Sequence, residues 1–206
     1  MRKAFLTLLS IFISIYGYSQ NNWSVRTNGG YASSSNSNGY YFSFDIGIPI
    51  IKSIELAPTF TYSSRLPNNK INDAWLQSNG NYGLTSGDQN STIENGENSG
   101  SISLLAIFKP FDLIKSDRLK RHELMVGAGY SWCSYTKFFN QYTINGNQFE
   151  PVGIQISSVR RFEPYYFKLG YNYLFRENLL SGIVISANGF DGASEVLVGL
   201  QFGVKF

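Results

Sequence analysis

The last thirteen residues of the chain, from Ser194 to Phe206, alternate between two chemistries without a break. Val196, Val198, Leu200, Phe202, Val204 and Phe206 fall on one side, and Glu195, Leu197, Gly199, Gln201, Gly203 and Lys205 on the other. Successive side chains of a strand point to opposite faces, so this order gives a strand with one oily face and one face that, apart from Leu197, is small or polar. A helix would scatter both sets around its axis. Inside a bilayer every backbone N–H and C=O must be satisfied within the protein. A sheet of such strands, closed on itself with the apolar face outward, is one of only two arrangements that do so.

Seven earlier segments repeat the pattern. Residues 22–32 set Trp23, Val25 and Thr27 against Ser24, Arg26 and Asn28 before fading into glycine. The second segment sets Tyr40, Phe42, Phe44, Ile46 and Ile48 against Tyr41, Ser43, Asp45 and Gly47. The third sets Ile54, Leu56, Pro58, Phe60 and Tyr62 against Glu55, Ala57, Thr59, Thr61 and Ser63. Proline cannot donate to a ladder, and a closed barrel has no edge to hide it, so a bulge is expected at Pro58. The fourth, residues 101–108, is less regular, with Ile102, Leu104, Ala106 and Phe108 against Ser101, Ser103, Leu105 and Ile107. In the fifth, Leu124, Val126, Ala128, Tyr130 and Trp132 oppose Glu123, Met125, Gly127, Gly129, Ser131 and Cys133. The sixth opposes Tyr165, Phe167, Leu169, Tyr171 and Tyr173 to Tyr166, Lys168, Gly170 and Asn172. The seventh opposes Leu179, Ile183, Ile185 and Ala187 to Gly182, Val184 and Ser186. With the C-terminal segment the count is eight, an even number as single-chain bacterial barrels require.

Connection lengths give an independent test, because such barrels have short turns on one side of the membrane and longer loops on the other. After segments two, four and six the gaps are residues 49–52, 110–121 and 176–178; the long gaps both fall on the opposite side. With both termini in the periplasm, the short turns lie inside and the long loops outside. Residues 65–100, rich in Asn, Gly, Ser and Asp, read as a flexible polar loop, with Trp75, Leu76, Tyr82 and Leu84 as its main apolar content. The other long gap has apolar runs at residues 138–144 and 149–156 flanking Asn145-Gly146, a hairpin turn signal. It reads as segments five and six projecting above the membrane. The alternative is a ten-stranded barrel, in which residues 159–164 would have to reverse the chain.

Residues 1–19 read as a secretory signal: Arg2 and Lys3 open it, residues 4–18 form its apolar stretch, and Gly17-Tyr18-Ser19 offers a small-x-small cleavage site before Gln20. The rest, 20–206, is expected to be a single domain. The formal net charge of +3 includes Arg2 and Lys3, leaving the mature chain near +1 with no basic cluster, which sets nucleic-acid binding aside. Charged residues are 15% of the chain and aromatics 16%, against about 25% charged in an ordinary soluble domain. The polar faces hold mostly Gly, Ser, Thr and Asn, with about one charge per strand, too few for the outer surface of a soluble barrel. They suit a narrow lumen. Aromatics recur toward strand ends at Trp23, Tyr40, Tyr62, Trp132, Tyr165, Tyr173 and Phe206, the positions of interfacial girdles. Arg26, Asp45, Glu55, Glu123, Lys168, Glu195 and Lys205 carry both signs on the lumen side. In an eight-stranded barrel the interior only accommodates side chains, so these are expected to pair and plug it.

Signal, strand count and C-terminus together resemble the small outer-membrane β-barrel families, the OmpA/OmpX/OmpW-like and PorT-like proteins, over nearly all of the mature chain. The resemblance implies a closed antiparallel up-and-down transmembrane barrel in the outer membrane of a Gram-negative cell. Leu200, Phe202, Val204 and Phe206 resemble the C-terminal signal read by the barrel-assembly machinery, which implies that machinery as a partner during biogenesis; Phe206 would also serve as a simple interfacial anchor.

Catalytic chemistry is scarce. The one histidine, His122, stands beside Glu123 at the periplasmic start of segment five, whereas barrel enzymes acting on lipid carry their sites toward the outer leaflet. No metal-ligand spacing, phosphate loop or nucleophile motif accompanies it, so no enzyme, metal or cofactor is expected. Cys133 has no disulfide partner and reads as a space filler. Arg160 and Arg161, with Arg65 and Lys137, are candidates for an outer rim that contacts lipopolysaccharide phosphates. Lys115, Arg118, Lys120 and Arg121 lie near the periplasmic turn at headgroup level, with Asp112 and Asp117 offsetting half of their charge. The expectation is a monomeric barrel with a structural or interaction role, its long loops outside and its lumen plugged. The alternatives are a narrow pore or OmpW-like transport route, and a PorT-like secretion or assembly factor.

Overall fold

The structure, a computed structural model, describes residues 23–34, 37–67, 90–145, 148–176, 178–188 and 195–206. The expected signal at residues 1–19, the cleavage point before Gln20 and most of the long polar loop lie outside them. Eight strands follow one another around a closed barrel: β1 (Ser24–Ser33), β2 (Ser37–Ile51), β3 (Ile54–Pro67), β4 (Asn90–Phe108), β5 (His122–Asn145), β6 (Gln148–Leu174), β7 (Leu179–Asn188) and β8 (Glu195–Lys205). Each pairs antiparallel with its neighbours, and β8 closes on β1 from Ser24↔Lys205 to Ser33↔Val196. The chain is thus an up-and-down barrel of eight strands, not ten. Residues 159–164 run straight through β6 without a reversal.

Alternation has become inside and outside. Phe42, Phe60, Ile102, Trp132, Phe167, Ile183, Leu200 and Phe202 point outward and are exposed, whereas Ser43, Thr61, Ser101, Cys133, Lys168, Ser186 and Gln201 are buried. Along β6 the apolar exterior runs from Tyr173 to Phe162. The eleven steps between them at about 3.3 Å each, tilted by roughly 40°, make a band roughly 28 Å tall, close to the roughly 25 Å that an outer-membrane barrel presents to lipid. Trp23 stacks on Phe206 at 4.7 Å at the end carrying the termini, and Tyr130 and Trp132 meet Phe162 at the other.

Proline behaves differently from expectation. Pro58 causes no register shift: it pairs with Leu104 in an unbroken ladder to β4. On its β2 side the pairing skips from Asp45↔Thr59 to Ile48↔Leu56 in the same register, so the missing N–H is absorbed without an extra residue. Shifts occur at other prolines and, without a proline, between Glu94 and Gly96 on β4. Pro164 and Tyr165 together face Tyr130 between Gly129↔Tyr166 and Ser131↔Glu163, a two-against-one bulge, and further shifts occur beside Pro49 and Pro151.

The polar loop at residues 65–100 is shorter than its composition implied. Arg65 and Leu66 extend β3, and Asn90 to Gly100 belong to β4, paired along β5 from Asn90↔Thr143 to Gly100↔Ser134. Beyond Trp132 and Phe162, β5 and β6 rise together as an arm of roughly 40 Å of strand, with β4 alongside.

Candidate functional site: the charged lumen

At the terminus-bearing half of the barrel one guanidinium organises the interior. Arg26 on β1 is fully buried and donates from Nε to Asp45 Oδ2 on β2 at 2.7 Å and from Nη2 to Glu55 on β3; its Nη1 lies 3.9 Å from Glu123 Oε1 on β5. Lys168 Nζ on β6 reaches Asp45 Oδ1 at 2.8 Å, and Lys205 Nζ on β8 reaches Glu123 Oε2 at 2.5 Å. Lys109, just past β4, bridges Glu55 and, at 3.3 Å, Glu123. Asn28 and Asn172 donate further hydrogen bonds to Asp45 and Glu123 at 2.9 and 3.1 Å. In an eight-stranded ring β1 stands opposite β5 and β2 opposite β6. Arg26–Glu123 and Asp45–Lys168 therefore cross the lumen from wall to wall.

Small residues make the space. A Cβ on Gly47 would stand 2.7 Å from both Arg26 Nη2 and Glu55 Oε2, so this position accommodates the guanidinium only as glycine. Gly170 likewise leaves room for the end of Met125. Met125 joins Ala57, Leu105, Ile107 and Tyr166 in a buried apolar cluster inside the barrel, and Arg26 Nη1 lies 2.9 Å from its sulfur. Charges and cluster together line this half of the bore.

A second group lies toward the other mouth. Arg65 on β3 donates from Nη2 to Glu97 Oε1 on β4 at 3.1 Å, and its Nη1 is 3.6 Å from Glu195 Oε1 on β8. Ser63 Oγ donates to the same Glu195 oxygen at 2.5 Å. All seven charges expected to face the lumen do so, but Arg65, assigned by sequence to the outer rim, is a lumen residue 2% exposed. It is not gathered with Arg160 and Arg161. Those two are exposed on β6 and, being adjacent, point to opposite sides of the strand, Arg160 sharing the outward parity of Phe162. Lys137 is half-buried on β5 opposite Glu97.

Sequence reasoning also missed Lys109, Glu97 and Glu163 as interior charges. The signal was available: Lys109 continues the inward parity of Leu105 and Ile107, and Glu97 that of Ser99 and Ser101. Both lay beyond the strand ends drawn from the apolar residues. Glu163 is inward because the Pro164 bulge resets parity, which alternation alone would misplace.

The remaining candidates sit apart. His122 Nδ1 lies 2.5 Å from Tyr171 Oη and its ring 5.3 Å from Tyr173, an aromatic cluster at the barrel rim. Cys133 is buried beside Ser131 at 3.2 Å. Leu200, Phe202 and Phe206 are exposed on the outer wall, where Val204 is half-buried, and the Phe206 N–H donates to the Trp23 carbonyl at 2.8 Å. Among the described residues no group of three or more His, Cys, Asp and Glu is placed to hold a metal ion.

This closed barrel is similar to the N-terminal β-barrel domain of OprF from Pseudomonas aeruginosa, with a TM-score of 0.50 at 15% identity over 91% of this chain and 98% of that one. It is equally similar to Ail, the attachment invasion locus protein of Yersinia pestis: TM-score 0.50 and 9% identity over 91% and 99% of the two chains. No family model matches the sequence. No curated protein matches it either. At these identities the likeness is one of fold: the chain has the architecture of the small eight-stranded outer-membrane barrels.

Proposed function

We propose that the protein is an integral outer-membrane barrel with both termini in the periplasm, whose role is structural or interaction-based and not enzymatic. An exterior that is apolar around its circumference, bounded by aromatic residues, supports the membrane assignment: such a surface would be unstable in water and is what lipid requires. The topology is supported by the short turns after β2 and β6 at the terminus-bearing end and by the tall β5–β6 arm at the other, which would present itself to the cell exterior. Arg160, exposed just above Phe162, is suited to a lipopolysaccharide phosphate, and Arg161 to the mouth of the lumen. Leu200, Phe202, Val204 and Phe206 form the segment that the assembly machinery would read.

The observation that carries the functional reading is the wall-to-wall ion pairing of Arg26 and Lys168 with Glu123 and Asp45. Buried charges of both signs, paired across the bore at Arg26–Glu123 and Asp45–Lys168, favour a plug over a filter. A monomeric scaffold holding an extracellular arm is the role that remains. Planar-bilayer recording of the folded protein tests it: rare or no conductance is expected, and steady nanosiemens-scale channels would favour a narrow pore. Assembly is checked separately. Phe202→Ser with Phe206→Ser should lower the amount of folded barrel in the outer membrane more than Gly203→Ser with Lys205→Ser.

A further inference from the structure

At the periplasmic end the β2–β3 turn and the long β4–β5 connection fold against each other, with the Lys109 N–H donating to the Ser53 carbonyl at 2.8 Å. That connection contains two short 3-10 turns, Pro110–Leu113 and Asp117–Leu119. Between turn and connection lies a cavity of about 440 Å³, lined by the cations Lys52, Lys115 and Lys120, the acidic Asp112 and Asp117, Ser116, and the apolar side chains of Phe111, Ile114 and Leu119. Around it, Ile50, Ile51, Leu113 and Ile114 are about half or more exposed, up to 62% for Leu113. Exposed aliphatic groups interleaved with lysines are costly on a turn that meets only water. They are stabilised at a membrane interface, where the aliphatic groups enter the acyl region and the ammonium groups stay with the headgroups.

The cavity also continues the lipid-facing wall. Ile51 pairs with Ile54 and Ile54 with Phe108, so the apolar band runs without interruption to the cavity's edge. Of the two acidic residues nearby, Asp117 is committed to Lys120 at 2.5 Å, an exposed pair of little strength. Asp112 lies in the field of Lys109, Lys205 and Glu123 under the barrel mouth as well as of Lys52. Three lysines against two aspartates leave the lining net cationic.

We infer that this cavity binds the phosphodiester headgroup of an anionic phospholipid of the periplasmic leaflet, with Lys52, Lys115 and Lys120 around the phosphate and Ile114, Leu119 and Phe111 against the first acyl carbons. The inference rests on the membrane reading above. It makes the β4–β5 connection a foot that fixes the height of the barrel in the bilayer, which explains why this periplasmic connection is so much longer than the turns after β2 and β6.

The test folds the full protein into bilayers of equal parts phosphatidylglycerol and phosphatidylcholine and measures by native mass spectrometry which lipid survives detergent stripping. Preferential retention of phosphatidylglycerol by roughly fivefold or more is expected. Lys52→Gln with Lys115→Gln and Lys120→Gln should bring the ratio close to one, and Ile114→Ser should lower the total retained while leaving the preference. Equal retention of both lipids by the unaltered protein, or an undiminished preference in the triple variant, would overturn the inference. So would complete displacement of the lipid by millimolar inorganic phosphate, which would mark a site for a soluble anion. Should the triple variant not fold, Lys115→Gln alone carries the comparison. Heat-modifiable gel mobility runs alongside: its absence in the unaltered protein would refute the barrel in the membrane, whereas its presence without lipid selectivity refutes only the site.

Discussion

The two halves of the lumen are closed by different means. In the half that carries the termini, Arg26 and Lys168 meet carboxylates across the full width of the barrel, and every partner is buried. In the opposite half, Arg65 binds Glu97 on the adjacent strand and Glu195 across part of the bore, among serines at positions 63, 99, 101 and 103. The first arrangement ties opposite walls together; the second lines a mouth. Charge placed across a bore costs desolvation on every member, so it is stable only when the set is complete. Both sets are buried, but removing Arg65 deprives two carboxylates of a partner, whereas removing Arg26 deprives three.

That contrast is open to direct attack. Arg26→Ala should be the most damaging single change, because it leaves Asp45, Glu55 and Glu123 facing one another without their shared guanidinium. A loss of about 3–5 kcal/mol is expected in urea titrations of the folded barrel in micelles, together with steady conductance in bilayers. Adding Asp45→Asn, Glu55→Gln and Glu123→Gln with Arg26→Met should restore much of the stability without the charges. A smaller loss, about 1–3 kcal/mol, is expected from Gly47→Ala, whose new methyl would displace the guanidinium from the place it now occupies. If Gly47→Ala is neutral, Arg26 is not confined as described.

Arg65→Ala should cost less, about 1–2 kcal/mol, and leave conductance low, since the Arg26 network would be intact. Equal losses from Arg26→Ala and Arg65→Ala would erase the distinction between the halves. The smallest effect belongs to Asp112. Burial raises its carboxyl above the usual range, outweighing the opposing influence of Lys109, Lys205 and Lys52. A carboxyl raised on folding contributes stability below its unfolded pKa and loses it as pH rises through the folded value. Asp112→Asn should therefore stabilise slightly at pH 7, and the gain should vanish as the medium is acidified below the unfolded value. A gain that grows on acidification would reverse the assignment.

Most of the barrel was legible in the sequence because alternation is a local property. Val196 to Phe206 or Tyr40 to Ile48 declare their faces without knowledge of any partner, and even the irregular residues 101–108 had the parity the structure shows. What escaped depends on the whole sheet. Arg65 and Glu97 looked like loop because strands that rise above lipid need no apolar face. Glu163 required knowing that Pro164 bulges, and Pro58 was misjudged because a proline whose vacant N–H side falls where the ladder already skips needs no bulge. The seven interior charges could be placed on one side of the sheet, but not matched to one another. Matching Arg26 with Glu123 or Asp45 with Lys168 needs the closure of the barrel, which brings β1 to β5 and β2 to β6.

The central claim is that one side of every strand meets lipid and the other a filled interior. Nitroxide labels placed singly at Leu200 and Gln201, in a Cys133→Ser background and in bilayers, test it most directly by relaxation enhancement. The label at Leu200 should be relaxed strongly by lipid-dissolved oxygen and little by a water-soluble nickel chelate. The label at Gln201 should be shielded from oxygen. The opposite pattern, with Gln201 in contact with lipid and Leu200 protected, would contradict the account.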